Sequence, residues 1–103
     1  MLRPEVACLL HMGPLPDSAT AAADSTRLQE YQRLIDGIEK PVSDEEAREL
    51  AALFGPDDCF GLAWSLVHLI ESAPGWPSAE LLPNADNEWT KLLVDRARRG
   101  TRA

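Results

Sequence analysis

The chain has 103 residues, 45% hydrophobic and 26% charged, and seventeen acids against ten bases give a net charge of -7. At this length one domain spanning 1–103 is the expectation, with enough core to need neither disulfides nor a metal. The totals exclude wholesale disorder, and the acidic balance argues against nucleic acid and anionic lipid, whose phosphates require clustered positive charge.

Residues 4–12 read as a short apolar helix of two turns, ended by Gly13, Pro14 and Pro16. Residues 17–23, Asp-Ser-Ala-Thr-Ala-Ala-Ala, read as a loop or a frayed helical lead, so 1–23 form an N-terminal apolar element and loop. The helical core is expected over 24–99. Its first helix, about 24–39, carries Leu28, Tyr31, Leu34, Ile35 and Ile38 on one face. Asp24 or Ser25 caps it, and Pro41 forbids its continuation. In the second, about 44–54, Ser43 and Glu46 form a capping box, and Asp44, Glu45 and Glu46 suit the positive end of the helix dipole. Ala47, Leu50, Ala51 and Phe54 make its buried stripe, and Gly55 then Pro56 stop it.

The third helix, about 58–73, is capped by Asp57 or Asp58 and ended by Pro74 and Gly75. Leu62, Ala63, Trp64, Leu66, Val67, Leu69 and Ile70 leave it little polar surface, so it is expected at the centre with Trp64 in the core. A loop with Trp76, Pro77 and Pro83 follows, tucked down by Leu81 and Leu82. The last helix, about 87–99, packs through Trp89, Leu92, Leu93 and Ala97, with Asp86 or Asn84 as cap. Residues 100–103 form a loose tail. No segment alternates as a strand does. The fold class is all-α: a compact bundle of four main helices around a central apolar one.

Charge is unevenly placed. Residues 1–58 hold twelve acids and five bases, whereas 59–103 hold five of each. Cys8 and Cys59 are too few for a disulfide framework and lack metal-ligand spacing. No apolar run approaches the roughly 18 residues of a membrane span, and the run Val6–Leu10 is short for a secretion signal. The expected setting is the cytoplasm, with reduced thiols.

Gly61, Ser65, His68 and Ser72 share one face of the third helix. That strip is either a place of close backbone approach, the favoured reading, or the border of a groove where His68 and Glu71 touch a partner. Catalysis by Ser65 and His68 lacks an oxyanion hole and a nucleophile elbow. Cys8, His11, Cys59 and His68 do not make a closed zinc site. No catalytic residue, metal or cofactor is expected. The acids Asp44, Glu45, Glu46 and Glu49, then Asp57 and Asp58, exceed what capping needs and, beside Asp36 and Glu39, suggest an acidic rim for a basic partner. Trp76, in a Pro-Gly-Trp-Pro loop, is either a lid over the core or an interface anchor.

The pair Asp-Glu-Glu-Ala-Arg-Glu-Leu-Ala-Ala-Leu-Phe and Cys-Phe-Gly-Leu-Ala-Trp-Ser-Leu-Val-His-Leu-Ile-Glu, joined by Gly-Pro-Asp-Asp, resembles a HEAT-type unit. It lacks the usual proline of the first helix and arginine of the second. More broadly, Met-Gly-Pro-Leu-Pro-Asp and the stretch from Phe60 to Pro77, joined by the helix containing Tyr31-Gln32 and Ile35-Asp36, are similar to small helical bacterial proteins. Some of these are grouped with immunity proteins of polymorphic toxin systems. The resemblance implies a small acidic cytoplasmic protein without catalytic residues that covers a toxin domain, often a basic nuclease. It carries no site residues with it. The resulting expectation is a protein-binding inhibitor contacting a basic toxin domain through Asp44, Glu45, Glu49, Asp57, Asp58 and Trp76. The alternative is a helical adaptor or homodimer with a HEAT-like surface. A third class, a small hydrolase using Ser65 and His68, is the least favoured.

Overall fold

The computed structural model describes residues 2–76 and 87–100. Among them the chain is all-α: α1 (Pro4–Met12), α2 (Ser18–Ala23), α3 (Ser25–Asp36), α4 (Asp44–Leu50) continued by a 3-10 turn (Ala51–Leu53), α5 (Leu62–Glu71) and α6 (Glu88–Gly100). No strand occurs among the described residues. The expected loop residues Leu81, Leu82 and Pro83, the caps Asn84 and Asp86, and the tail 101–103 lie outside them.

Local chemistry explains where each helix stands. Pro4 occupies the first turn of α1, where its missing N–H costs nothing, and the Gly13 N–H closes the helix on the Leu9 and Leu10 carbonyls. The stretch 17–23 is helical, with the Asp17 carboxylate accepting the Thr20 N–H at 2.7 Å. Asp24 caps α3 through the Arg27 N–H. The capping box of α4 is present in full: Ser43 Oγ accepts the Glu46 N–H and Glu46 Oε1 accepts the Ser43 N–H, each at 3.0 Å.

The core joins all six helices. Val6, Leu9, Tyr31, Leu50, Leu62, Leu66, Val67, Ile70 and Leu93 are fully or almost fully buried. Helix α4 packs most extensively on α5, and α1 on α3, with α5 also touching α3 and the 3-10 turn. Tyr31 seats its ring in the core. Its hydroxyl proton is shared among the carbonyls of Gly13 (2.9 Å), Pro14 (3.1 Å) and Met12 (3.3 Å), which holds the α1–α2 turn against α3.

One ion pair reaches across the chain. Arg3 Nε donates to Glu46 Oε2 at 2.8 Å and Nη2 to Oε1 at 3.0 Å, while the Arg3 backbone N–H also donates to Oε2. The remaining guanidinium protons reach the carbonyls of Glu39 and Pro41. Glu46 is 3% exposed yet ionised, because the Arg3 guanidinium holds its carboxyl at about 2 against the usual 4.5.

Three expected boundaries shift, the first being the end of α3, which stops at Asp36 with Gly37 as its cap rather than near residue 39. The second helix turns into a 3-10 turn at Ala51 and ends at Leu53, so Phe54 is already extended. The third begins at Leu62 rather than near 58, since Cys59, Phe60 and Gly61 take φ values of 46°, 56° and 89°. Three successive left-handed residues cannot belong to a right-handed helix. They form a tight turn in which the Asp58 carbonyl accepts the Gly61 and Ala63 N–H groups.

Gly55 packs directly on the backbone of Leu15: a Cβ there would lie 2.1 Å from the Leu15 carbonyl oxygen. Leu15 cannot retreat, because its N–H is bonded to the Leu53 carbonyl at 2.9 Å. Gly55→Ala is therefore expected to cost about 2–3 kcal/mol, read as a lowered urea midpoint with unchanged slope. The Arg3–Glu46 pair gives a pH signature. Glu46 has a depressed folded pKa, so its contribution is complete above pH 4.5 and fades as pH falls towards 2. Glu46→Gln should lose about 2 kcal/mol at pH 7, and the gap from wild type should close between pH 4.5 and 2 in urea titrations.

Candidate functional site

The sequence-predicted contact residues divide between two ends of the α4–α5 pair. These helices are antiparallel, because the Gly75 N–H just past α5 donates to Asp44 Oδ1 at the start of α4 at 2.7 Å. Asp44, Glu45, His68, Glu71 and Trp76 belong to that end, and Asp57 and Asp58 to the other. Glu49 is half-buried near the far end of α4.

Several of these side chains are engaged within the chain. The Asp44 carboxylate holds the 75–76 turn. Asp57 accepts the Ser18 N–H at 2.9 Å, the Ser18 hydroxyl at 3.1 Å and the Cys59 N–H at 2.9 Å. It thereby ties α2 to the left-handed turn, and the two backbone N–H groups keep its carboxyl below the usual range. Glu71 forms a two-pronged pair with Arg96 of α6, at 2.7 and 2.8 Å. Trp76 is half-buried and packs against the core. Glu45 and Asp58 stand at the surface.

The polar strip of α5 meets the connection between α3 and α4. Ser72 Oγ accepts the Val42 N–H at 3.1 Å and donates to the Leu69 carbonyl, while Gly61 supplies the left-handed start of the helix. Ser65 and His68 border a shallow groove of about 220 Å³ with Ile35, Asp36, Ile38, Lys40 and Leu69. The groove brings a serine, a histidine and an aspartate near one another. Asp36, however, accepts from Gln32 Nε2 at 2.9 Å, and no side-chain hydrogen bond links Ser65, His68 and Asp36. Ser65 is the fourth residue of α5, and its N–H is bonded to the Gly61 carbonyl at 3.2 Å.

A second, larger groove of about 430 Å³ runs between α1 and α3, lined by Ala7, Cys8, His11, Met12, Glu30 and Leu34. Cys8 is exposed and Cys59 is buried. Burial, then the charges of Asp57, Asp58 and Asp17, push the Cys59 thiol up, which makes it a packing residue. Among the described residues no group of three His, Cys, Asp or Glu side chains is placed to hold a metal ion. No helix among them is long and apolar enough to cross a membrane.

Sequence reasoning missed two surface aromatics. Trp64, expected in the core, is 41% exposed, and Phe60, expected inside a helix, is 60% exposed on the left-handed turn. At about 100° per residue Trp64 lies roughly 40° from His68, which is itself exposed. Trp64 stands edge-on to Trp89 of α6, with centroids 5.1 Å apart and planes at 88°. Trp89 in turn stacks over Phe54 at 6.0 Å and donates its Nε1 proton to the Asp57 carbonyl.

Compared with protein-family models, curated proteins and solved structures, the chain matches none.

The two neighbouring aspartates are expected to behave differently. Asp57→Ala removes three hydrogen bonds and should lower Tm by several degrees, with the α2 amides losing hydrogen-exchange protection. Asp58→Ala removes only a surface charge and should leave Tm within about a degree of wild type.

Proposed function

We propose that the chain is a non-catalytic protein-binding inhibitor of the immunity type, which neutralises a bacterial toxin by covering its basic active site. The observation that carries this reading is how the bases are spent. Arg3, Arg33, Lys91, Arg96 and Arg99 are paired within the chain with Glu46, Glu30, Glu88, Glu71 and Asp95. Residues 59–103 balance five acids against five bases, so the net charge of -7 is carried by the twelve acids and five bases of the first 58 residues, the acids including Asp17, Asp44, Glu49, Asp57 and Asp58. Such a surface draws a basic partner and speeds encounter.

Occlusion needs no reacting group, which suits a groove where Ser65, His68 and Asp36 are not bonded to one another. The antiparallel α4–α5 pair is read as one HEAT-like unit, with α5 as the central helix of the bundle. The proposed contact set is Glu45, Glu49 and Asp58, with Asp44, Asp57, His68, Glu71 and Trp76 beside them. The proposed setting is the cytoplasm, where the exposed Cys8 thiol stays reduced. The second reading, a helical adaptor or homodimer, is favoured by the exposed aromatics Phe60 and Trp64.

Co-expression with the product of the adjacent gene, followed by pull-down and a growth assay, tests the proposal. The expected result is co-purification and rescue of growth. Affinity should fall as salt rises, and Glu49→Lys with Asp58→Lys should weaken the complex at least tenfold, mainly through a slower on-rate. A stable homo-oligomer insensitive to salt and to those reversals would support the adaptor instead. Asp44, Asp57 and Glu71 are unsuitable for this test, since reversing them also disturbs the fold.

A further inference from the structure

The exposed large apolar side chains among the described residues, Phe60 and Trp64, lie four positions apart across the start of α5. The turn that carries Phe60 is strained. Cys59 and Phe60 both hold left-handed backbone without being glycine, a conformation that brings Cβ too close to the following carbonyl oxygen. Cys59 plugs the core, fully buried, and the next side chain is thrown outward. Trp64 is backed by rings on its inner side: its neighbour Trp89 is stacked on buried Phe54 and hydrogen-bonded to Asp57. An aromatic side chain held this way loses little freedom on docking.

The surroundings say what docks. Asp58 is exposed beside the turn, and Asp57 and Asp17 lie close enough for their charges to act on the Cys59 thiol. The open area of the two rings is roughly 200 Å², short of the roughly 800 Å² that each side of a stable interface buries. The rest of any interface must come from the acidic surface around them. A second copy of this chain would bring like charges together, and an anionic membrane would be repelled in the same way.

We infer that Phe60 and Trp64 are the apolar anchors of a docking surface for a protein whose matching face carries an apolar pocket ringed by lysines and arginines. This rests on the reading of the chain as a partner-binding protein: the acids set the encounter, and the two rings set the lifetime of the complex.

The probes are an 18-residue helical peptide with a leucine stripe and a lysine face, the same peptide with serine for leucine, and a leucine–glutamate analogue. Binding to the full chain is followed by tryptophan emission and calorimetry at low and moderate salt. The leucine–lysine peptide should bind, shift emission to the blue, and lose at least tenfold in affinity with Phe60→Gly and with Trp64→Ala. The serine peptide should bind weakly and equally to all three proteins. Phe60→Gly should keep or raise Tm, since glycine relieves the left-handed strain, so lost binding there cannot be blamed on unfolding. Equal binding of the leucine–lysine peptide to wild type and both variants overturns the anchors and leaves the acidic reading standing. Binding of neither lysine peptide at low salt overturns both. Equal binding of the glutamate analogue overturns the basic partner. A wild-type dimer that Phe60→Gly converts to monomer in sedimentation assigns the patch to a second copy instead.

Discussion

The guanidinium of Arg3 is where three stretches of chain meet. It binds the Glu46 carboxylate of α4, the Glu39 and Pro41 carbonyls of the α3–α4 connection, and belongs itself to the start of α1. Glu46 has a second duty, since the same carboxylate closes the capping box on the Ser43 N–H. A buried carboxylate with so many donors is stable only while all are in place, and removing one partner leaves a desolvated charge. The beginning of α1, the end of the α3–α4 connection and the first turn of α4 are thus fixed together. Once α4 is placed, α5 follows, because the Asp44 carboxylate in that first turn captures the Gly75 N–H beyond the far end of α5.

Helix α6 is placed by two contacts of different kinds. Trp89 meets Trp64, and Arg96 meets Glu71. Both pairs are seven residues apart on each helix, so α5 and α6 run in the same direction in matched register, about 10 Å between the two contacts. The aromatic contact sits beside the left-handed turn and supports it from outside through the Asp57 carbonyl. Fold and candidate surface therefore share parts: the ring that backs Trp64 also holds the turn that presents Phe60.

Much of this was legible because it is local. Gly13, and Ser43 with Glu46, mark helix ends by chemistry spanning three or four residues, and the structure has helix ends at those places, whereas the helix expected to run to Phe54 leaves α geometry at Ala51. The capping box was readable, but its completion by Arg3, 43 positions away, was not, since nothing in a local pattern selects one arginine among many. Cys59 and Phe60 misled for a physical reason. An apolar run leading into a helix looks the same whether its first residues are right- or left-handed, and only the packing of Cys59 and the Asp57 hydrogen bonds decide. Trp64 belongs to an apolar run whose amount of hydrophobicity points to the core, whereas its angle, close to that of exposed His68, points to solvent. The surplus of acids was legible but the distribution of the bonded ones was not, because whether a carboxylate accepts a backbone N–H, as Asp44 and Asp57 do, depends on which amide comes within reach.

That distribution bears on how a chain so acidic stays folded. Internal repulsion is lowest where carboxylates accept backbone N–H groups, and Asp17, Asp57 and Asp44 all do so. These acids draw stability from the charge they carry, whereas Asp58 gains nothing comparable from the fold. Stability alone would place glycine at position 60, where the backbone is already left-handed, and would be indifferent to the exposed Asp58. The chain keeps an exposed phenylalanine on a strained turn, where the backbone opposes stability and the ring opposes solubility, beside an exposed charge that opposes neither.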